Sequence, residues 1–268
     1  MRKQDIKDRL IASYARLMAA NNCPLVGLAG GQGIGKSYLA QEVRGHFGED
    51  VLVLSLDDFY LTKAARVKLA AEVHPLFATR GVPGTHDVET LLDVLGKLQR
   101  GEIAPGMKLP RFIKALDDRA PDSDWLEVTR PPKLILLEGW CVGAAPQREP
   151  ALQEPINALE QDEDAAGVWR RAVNQYLSAR YQPLWQMMVH KLYLKPCAFS
   201  QIFDWRWQQE QENLAAVGRV ATPQDQTRIA RFIQYYERIT RHMMQHADDF
   251  DMVVEVSGPD RAWELIKS

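Results

Sequence analysis

Gly30-Gly31-Gln32-Gly33-Ile34-Gly35-Lys36-Ser37 is a full Gly-x4-Gly-Lys-Ser loop, and it follows the apolar run from Pro24 to Ala29. Glycines let the backbone turn tightly enough for consecutive N–H groups to surround phosphate oxygens, while the helix that follows directs its positive end at the same anion. In such a loop the lysine reaches the β- and γ-phosphates and the Ser holds Mg²⁺. Leu39, Val43 and Phe47 then recur at i, i+4, i+8 and stop at Gly48, which predicts a helix directly behind the loop. Strand, glycine loop and helix in that order read as a nucleotide site. Gly30, Gly31, Gln32, Gly33, Ile34, Gly35, Lys36, Ser37 and Tyr38 are its candidate contacts.

Composition narrows the ligand. With 33 basic and 35 acidic residues the formal charge is −2, so no cationic excess exists to hold a nucleic acid by counterion release. Cys23, Cys141 and Cys197 lack C-x-x-C spacing, which argues against a disulfide framework and a zinc site and points to a reducing cytoplasmic compartment. Residues 1–22 scatter Lys3, Asp5, Lys7, Asp8 and Arg9 among apolar positions. They read as an amphipathic helix on the body, not as a membrane-spanning or signal segment. The 268 residues are expected to form a single domain.

Further along, Val51-Leu52-Val53-Leu54 is an apolar run of the kind buried on both faces of a parallel sheet, and it ends in Asp57-Asp58-Phe59-Tyr60. Ligands bind beyond the carboxyl ends of such strands, which is where this acidic pair falls. Leu134 to Leu137 is a third strand, ending in Glu138, a position suited to ordering magnesium. Val189–Leu194 and Met252–Val256 complete five strands. Helices are expected from Val88, with Asp87 as N-cap; from Val168 to just before Pro183; over 199–217; and from Thr222-Pro223 onward. A closing helix is expected from Pro259. Residues 62–87 and 101–132 read as long irregular connections, and 143–164 as a surface insertion whose acids are solvated.

A phosphate loop alone does not separate kinases from other nucleotide-dependent proteins. The charged loops do: a kinase needs a carboxylate to accept a hydroxyl proton and cations to neutralise the transferred phosphoryl group, and Asp57, Lys36 and Arg206 can serve. An Asn-Lys-x-Asp sequence of the GTPase kind is absent. The set Gly-x4-Gly-Lys-Ser, Ser55-Leu-Asp-Asp-Phe-Tyr-Leu-Thr62, His74-Pro-Leu-Phe-x-x-Arg-Gly-Val-Pro-Gly-Thr-His-Asp87, Glu138-Gly-Trp140 and Trp205-Arg-x-Gln-Gln-Glu210 resembles the D-glycerate 3-kinase type within the phosphoribulokinase and uridine kinase superfamily. The resemblance implies a P-loop NTPase fold with a doubly wound five-stranded parallel sheet and a helical lid, and ATP with Mg²⁺ as cofactors. It implies catalytic roles for Asp57, Lys36 and Arg206, magnesium held by Ser37 and Glu138, and a small acidic alcohol such as D-glycerate held by Tyr60, Arg80, His86, Asp87, Lys114 and Arg119.

Other readings remain beside these. Asp87 serves equally well as a helix N-cap or as an acceptor contact, and His86 as a structural histidine. Ile113 stands where the resembled family carries an acid, which leaves a nucleoside or pantothenate-like acceptor open, as well as a non-enzymatic nucleotide-binding or assembly ATPase.

Overall fold

The computed structural model describes residues 2–268. The apolar runs form a sheet whose centre they bury: residues 25–30 and 134–139 are buried throughout, while 51–55 and 188–196 are buried in part. Strand β1 (Leu25–Gly30), β2 (Val51–Ser55), β3 (Leu134–Gly139), β4 (Met188–Pro196) and β5 (Met252–Ser257) pair in parallel, and β6 (Ala262–Lys267) adds an antiparallel edge. The spatial order is β6-β5-β4-β1-β3-β2, so the glycine loop leaves the middle of the sheet.

Helices cover both faces. On one side lie α1 (Lys3–Ala20) and α2 (Lys36–Phe47), whose Ile6, Leu10, Leu39 and Val43 pack on Val26, Leu136 and Val254. On the other face lie α4 (Val88–Gln99), α6 (Val168–Tyr176), α7 (Gln182–Gln186) and α9 (Pro223–Gln245), with α3 (Lys63–Glu72), α5 (Ala158–Glu163) and α8 (Ser200–Ala216) at the margins. Among the described residues no helix is long and apolar enough to cross a membrane.

Four expectations are corrected. The chain does not close with a helix: Gly258 (φ 70°) and Arg261 (φ 53°) reverse it, and alternating burial of Trp263 against exposed Ala262 and Glu264 builds β6. Residues 62–87 are not wholly irregular. Thr62 accepts from the Ala65 N–H at 3.2 Å and caps α3, which was hidden from pattern reading because its one buried side chain is Arg66. The helix expected to stop before Pro183 runs on through a π turn (Leu177–Tyr181) that passes directly into α7, where Pro183 is the second residue.

The acids of 143–164 are not all solvated either. Glu160 is fully buried and receives Arg238 at 2.7 and 2.6 Å, while Asp164 receives Arg170 at 3.1 Å. These pairs fasten the segment to α9 and to α6. Removing one partner of a buried pair strands a charge, so Glu160→Ala is expected to lower unfolding stability by about 3–5 kcal/mol, read from urea denaturation.

Candidate active site

The glycine loop is shaped by two approaches. Gly35 caps α2 at φ 111°, a conformation that L side chains rarely adopt. Gly33, at φ 73°, runs so close to α8 that a Cβ there would lie 2.9 Å from Trp205 Cβ. The loop is therefore in backbone contact with the helix that carries Arg206. Lys36 Nζ donates to the Gly31 carbonyl at 3.1 Å, and burial holds its ammonium below the usual lysine range.

Beyond the carboxyl ends of β1, β2 and β3 opens a cleft of about 600 Å³. Gln32, Gly33, Lys36 and Ser37 line one side; Asp57, Tyr60, Arg80 and Lys114 line the other, and Glu138 and Arg206 complete the ring. Asp57 enters at the 3₁₀ turn Leu56–Phe59 that follows β2. Its Oδ1 accepts from the Tyr60 hydroxyl at 2.9 Å and its Oδ2 from Lys114 Nζ at 2.7 Å. Burial pushes this carboxyl up, but Lys114 and Tyr60 outweigh it, and the net position lies below the ordinary aspartate range. Asp58 turns away and accepts the Phe112 N–H at 3.1 Å, anchoring a small hairpin of Phe112–Ile113 and Asp118–Arg119.

That hairpin delivers Lys114 to Asp57. At its tip Asp117, in left-handed backbone at φ 54°, pairs with Arg80 and with buried Arg66, the latter at 3.0 Å. Ile113 pairs with Asp118 across the hairpin, so the carboxylate missing at 113 is matched nearby by two others that ordinary periodicity does not reveal.

Glu138 ends β3 in register with Ser55 of β2. Ser55 Oγ donates to Glu138 Oε1 at 3.0 Å, Ser37 Oγ lies 3.5 Å from the same oxygen, and burial raises the carboxyl's pKa. Ser55 was missed at sequence level; its signal is a hydroxyl closing an apolar strand beside another strand that ends in an acid. Arg206 is steered by Glu210, which accepts from Nη2 at 2.8 Å, and by the Phe232 ring 6.0 Å from its guanidinium carbon. Glu210 also accepts from Arg228 of α9 at 2.7 Å, tying the two lid helices together.

Not all the candidates face the cleft. His86, 3 % exposed, stacks beneath Tyr60. Asp87 caps α4 by accepting the Thr90 N–H at 3.1 Å and also receives Arg119 at 2.8 Å, while Arg119 Nε donates to the Tyr60 carbonyl. These three form the layer behind the lining. Ile34 is buried, and half-exposed Tyr38 faces a separate cavity of about 350 Å³ on the far side of the loop, with Lys3, Arg261 and Trp263.

The chain is 31 % identical over 223 residues to a kinase of Schizosaccharomyces pombe named as uncharacterized kinase mug58, an alignment covering 79 % of this chain and 78 % of that one. The chain belongs to the P-loop kinases of the phosphoribulokinase and uridine kinase superfamily. The chloroplastic D-glycerate 3-kinase of Arabidopsis thaliana is also 31 % identical, over 225 residues that cover 76 % of this chain and 45 % of the longer plant protein. The structure of D-glycerate 3-kinase from Cryptococcus neoformans superposes with a TM-score of 0.76 at 24 % identity, covering 97 % of this chain and 99 % of that one, and shares the fold. No protein-family model matches the chain. As a P-loop kinase the chain is an ATP-dependent phosphotransferase with a small-molecule substrate.

Within this kinase the contact between loop and α8 is open to test. Gly33→Ala places a Cβ both at positive φ and against Trp205, a strain of about 1–3 kcal/mol. Weaker ATP binding and a lower Tm are expected, measured by titration calorimetry and thermal unfolding.

Proposed function

We propose that the chain, acting as one kinase domain, transfers the γ-phosphoryl group of Mg-ATP to a hydroxyl of a small acidic alcohol, with D-glycerate the first acceptor to try. The observation that carries this reading is that Asp57 and Lys36 line one cleft, together with Arg80, Lys114 and Arg206. A carboxylate able to take a proton thus shares a space with cations able to neutralise a phosphoryl group and a carboxylate.

The loop N–H groups and Lys36 would hold the triphosphate, with the nucleoside end in the cavity beside Tyr38, Arg261 and Trp263. Ser37, Ser55 and Glu138 converge on one point and offer only oxygen donors, the donor set a hard divalent cation prefers. Magnesium bound there would neutralise charge on the phosphates. Arg80 and Lys114 are the partners for the acceptor's carboxylate. As the acceptor oxygen bonds to the γ-phosphorus, the bond to the β-phosphate oxygen breaks, ADP departs and the hydroxyl proton passes to Asp57. Arg206 would stabilise the charge on the phosphoryl group in flight.

A coupled assay of ADP release across D-glycerate, other hydroxy acids, nucleosides and pantothenate tests the acceptor. Turnover with nucleosides alone would replace the acidic-alcohol reading. Asp57→Asn is expected to keep ATP binding and to lose about 10²–10⁴-fold in turnover, and an unchanged rate removes Asp57 from the proton-accepting role.

The pH profile follows from the sign of the shift. The ionised base is the active form, and a depressed pKa keeps it ionised until pH falls through that lowered value. The acidic limb of kcat/KM is therefore expected below the usual carboxylate range, and Lys114→Met should move it upward.

A further inference from the structure

Tyr60 and His86 are joined across the chain by an isolated antiparallel bridge, flanked by Leu61 N–H to Thr85 O at 2.8 Å and Asp87 N–H to Phe59 O at 2.7 Å. Their rings stack with centroids 4.4 Å apart and planes 22° from parallel, while the Phe112 ring meets Tyr60 edge-on at 5.2 Å. Tyr60 is thus gripped from both sides, and its hydroxyl meets Asp57 Oδ1 at 2.9 Å.

His86 is itself fixed. Its Nδ1 lies 2.7 Å from the Tyr181 hydroxyl, which accepts the Gly84 N–H at 3.1 Å. One hydrogen bond therefore joins the imidazole to that hydroxyl, and Nε2 is a buried atom with no partner among the described residues. Burial lowers the imidazole pKa to about 4, so the ring stays neutral where kinases work. Buried behind Tyr60 and outside the lining of the cleft, the ring is not placed to meet an acceptor.

From this geometry we infer that His86 is a positioning residue: it sets the Tyr60 ring so that its hydroxyl engages one oxygen of Asp57, and it does not touch the acceptor. This rests on Asp57 as the proton acceptor. In His86→Ala, kcat should fall about tenfold or more, while KM for both substrates stays within about twofold. Tyr60→Phe, which keeps the stack and loses the hydrogen bond, should give a loss of similar size. Because both act through one contact, the double variant should be no slower than the worse single one. His86→Phe, which keeps a flat ring, should recover much of the loss.

Three results would overturn the assignment: a raised acceptor KM with kcat held, losses that multiply in the double variant, or a lower Tm with full kcat in the folded enzyme. A crystal structure of His86→Ala reads the same coupling without turnover. The Tyr60 hydroxyl should leave Asp57 Oδ1, which it meets at 2.9 Å in the unaltered chain; a hydroxyl still in place rejects the positioning role even if no acceptor is ever phosphorylated. A displaced hydroxyl with no transfer to any acceptor would instead reject the kinase reading of Asp57 and leave the positioning role standing.

Discussion

The backbone of the glycine loop presses against the side of α8, with room for hydrogen but not for carbon at Gly33. That steric constraint places the phosphate cradle and the lid arginine in one rigid unit. Ile202 and Trp205 fill the space that side chains on the loop would need, and Trp205 Nε1 donates to the Gly258 carbonyl at the turn into β6. Arg261 in that same turn donates back to the Gly33 carbonyl. Loop, lid and the last two strands are therefore braced against one another, so the orientation of Arg206 follows from the packing of groups distant in sequence.

Within the cleft the charges are arranged in pairs that leave little to be ordered later. Arg80 is matched by Asp117, Arg206 and Arg228 by Glu210, and Lys114 by Asp57. A guanidinium already directed by a carboxylate loses less freedom when it meets an anion, which is how a site gains rate from position. The Lys114 pair differs from the others, because its carboxylate is the group proposed to take the proton. The hairpin that carries Lys114 hangs from Asp58 and Asp117. The second acid of the Asp57-Asp58 pair thus shapes the site without lining it.

The sheet and its ligand end were legible because buried parallel strands are continuous apolar runs and their carboxyl ends are marked by Gly30, Asp57 and Glu138. Helix α3 was not, since it buries an arginine and shows no apolar stripe. Strand β6 was not, because a short amphipathic tail after Gly258-Pro259 carries the period of neither element clearly. Glu160 and Asp164 looked solvated because the arginines that bury them, Arg238 and Arg170, lie in other helices.

By itself the sequence determined the glycine loop, the five parallel strands and most of the helices around them, and a carboxylate and cations of the kind a phosphotransferase requires. Those are local patterns, set by spacing along one segment. Only the tertiary structure decided which charged groups look into the cleft. Tyr60, Arg80 and Lys114 line it, whereas His86, Asp87 and Arg119 stand behind it, though all six sit in equally suggestive motifs. A side chain's direction depends on what packs against it: His86 and Arg119 are held by Tyr181 and Tyr60 from distant parts of the chain, while Asp87 caps its own helix at Thr90.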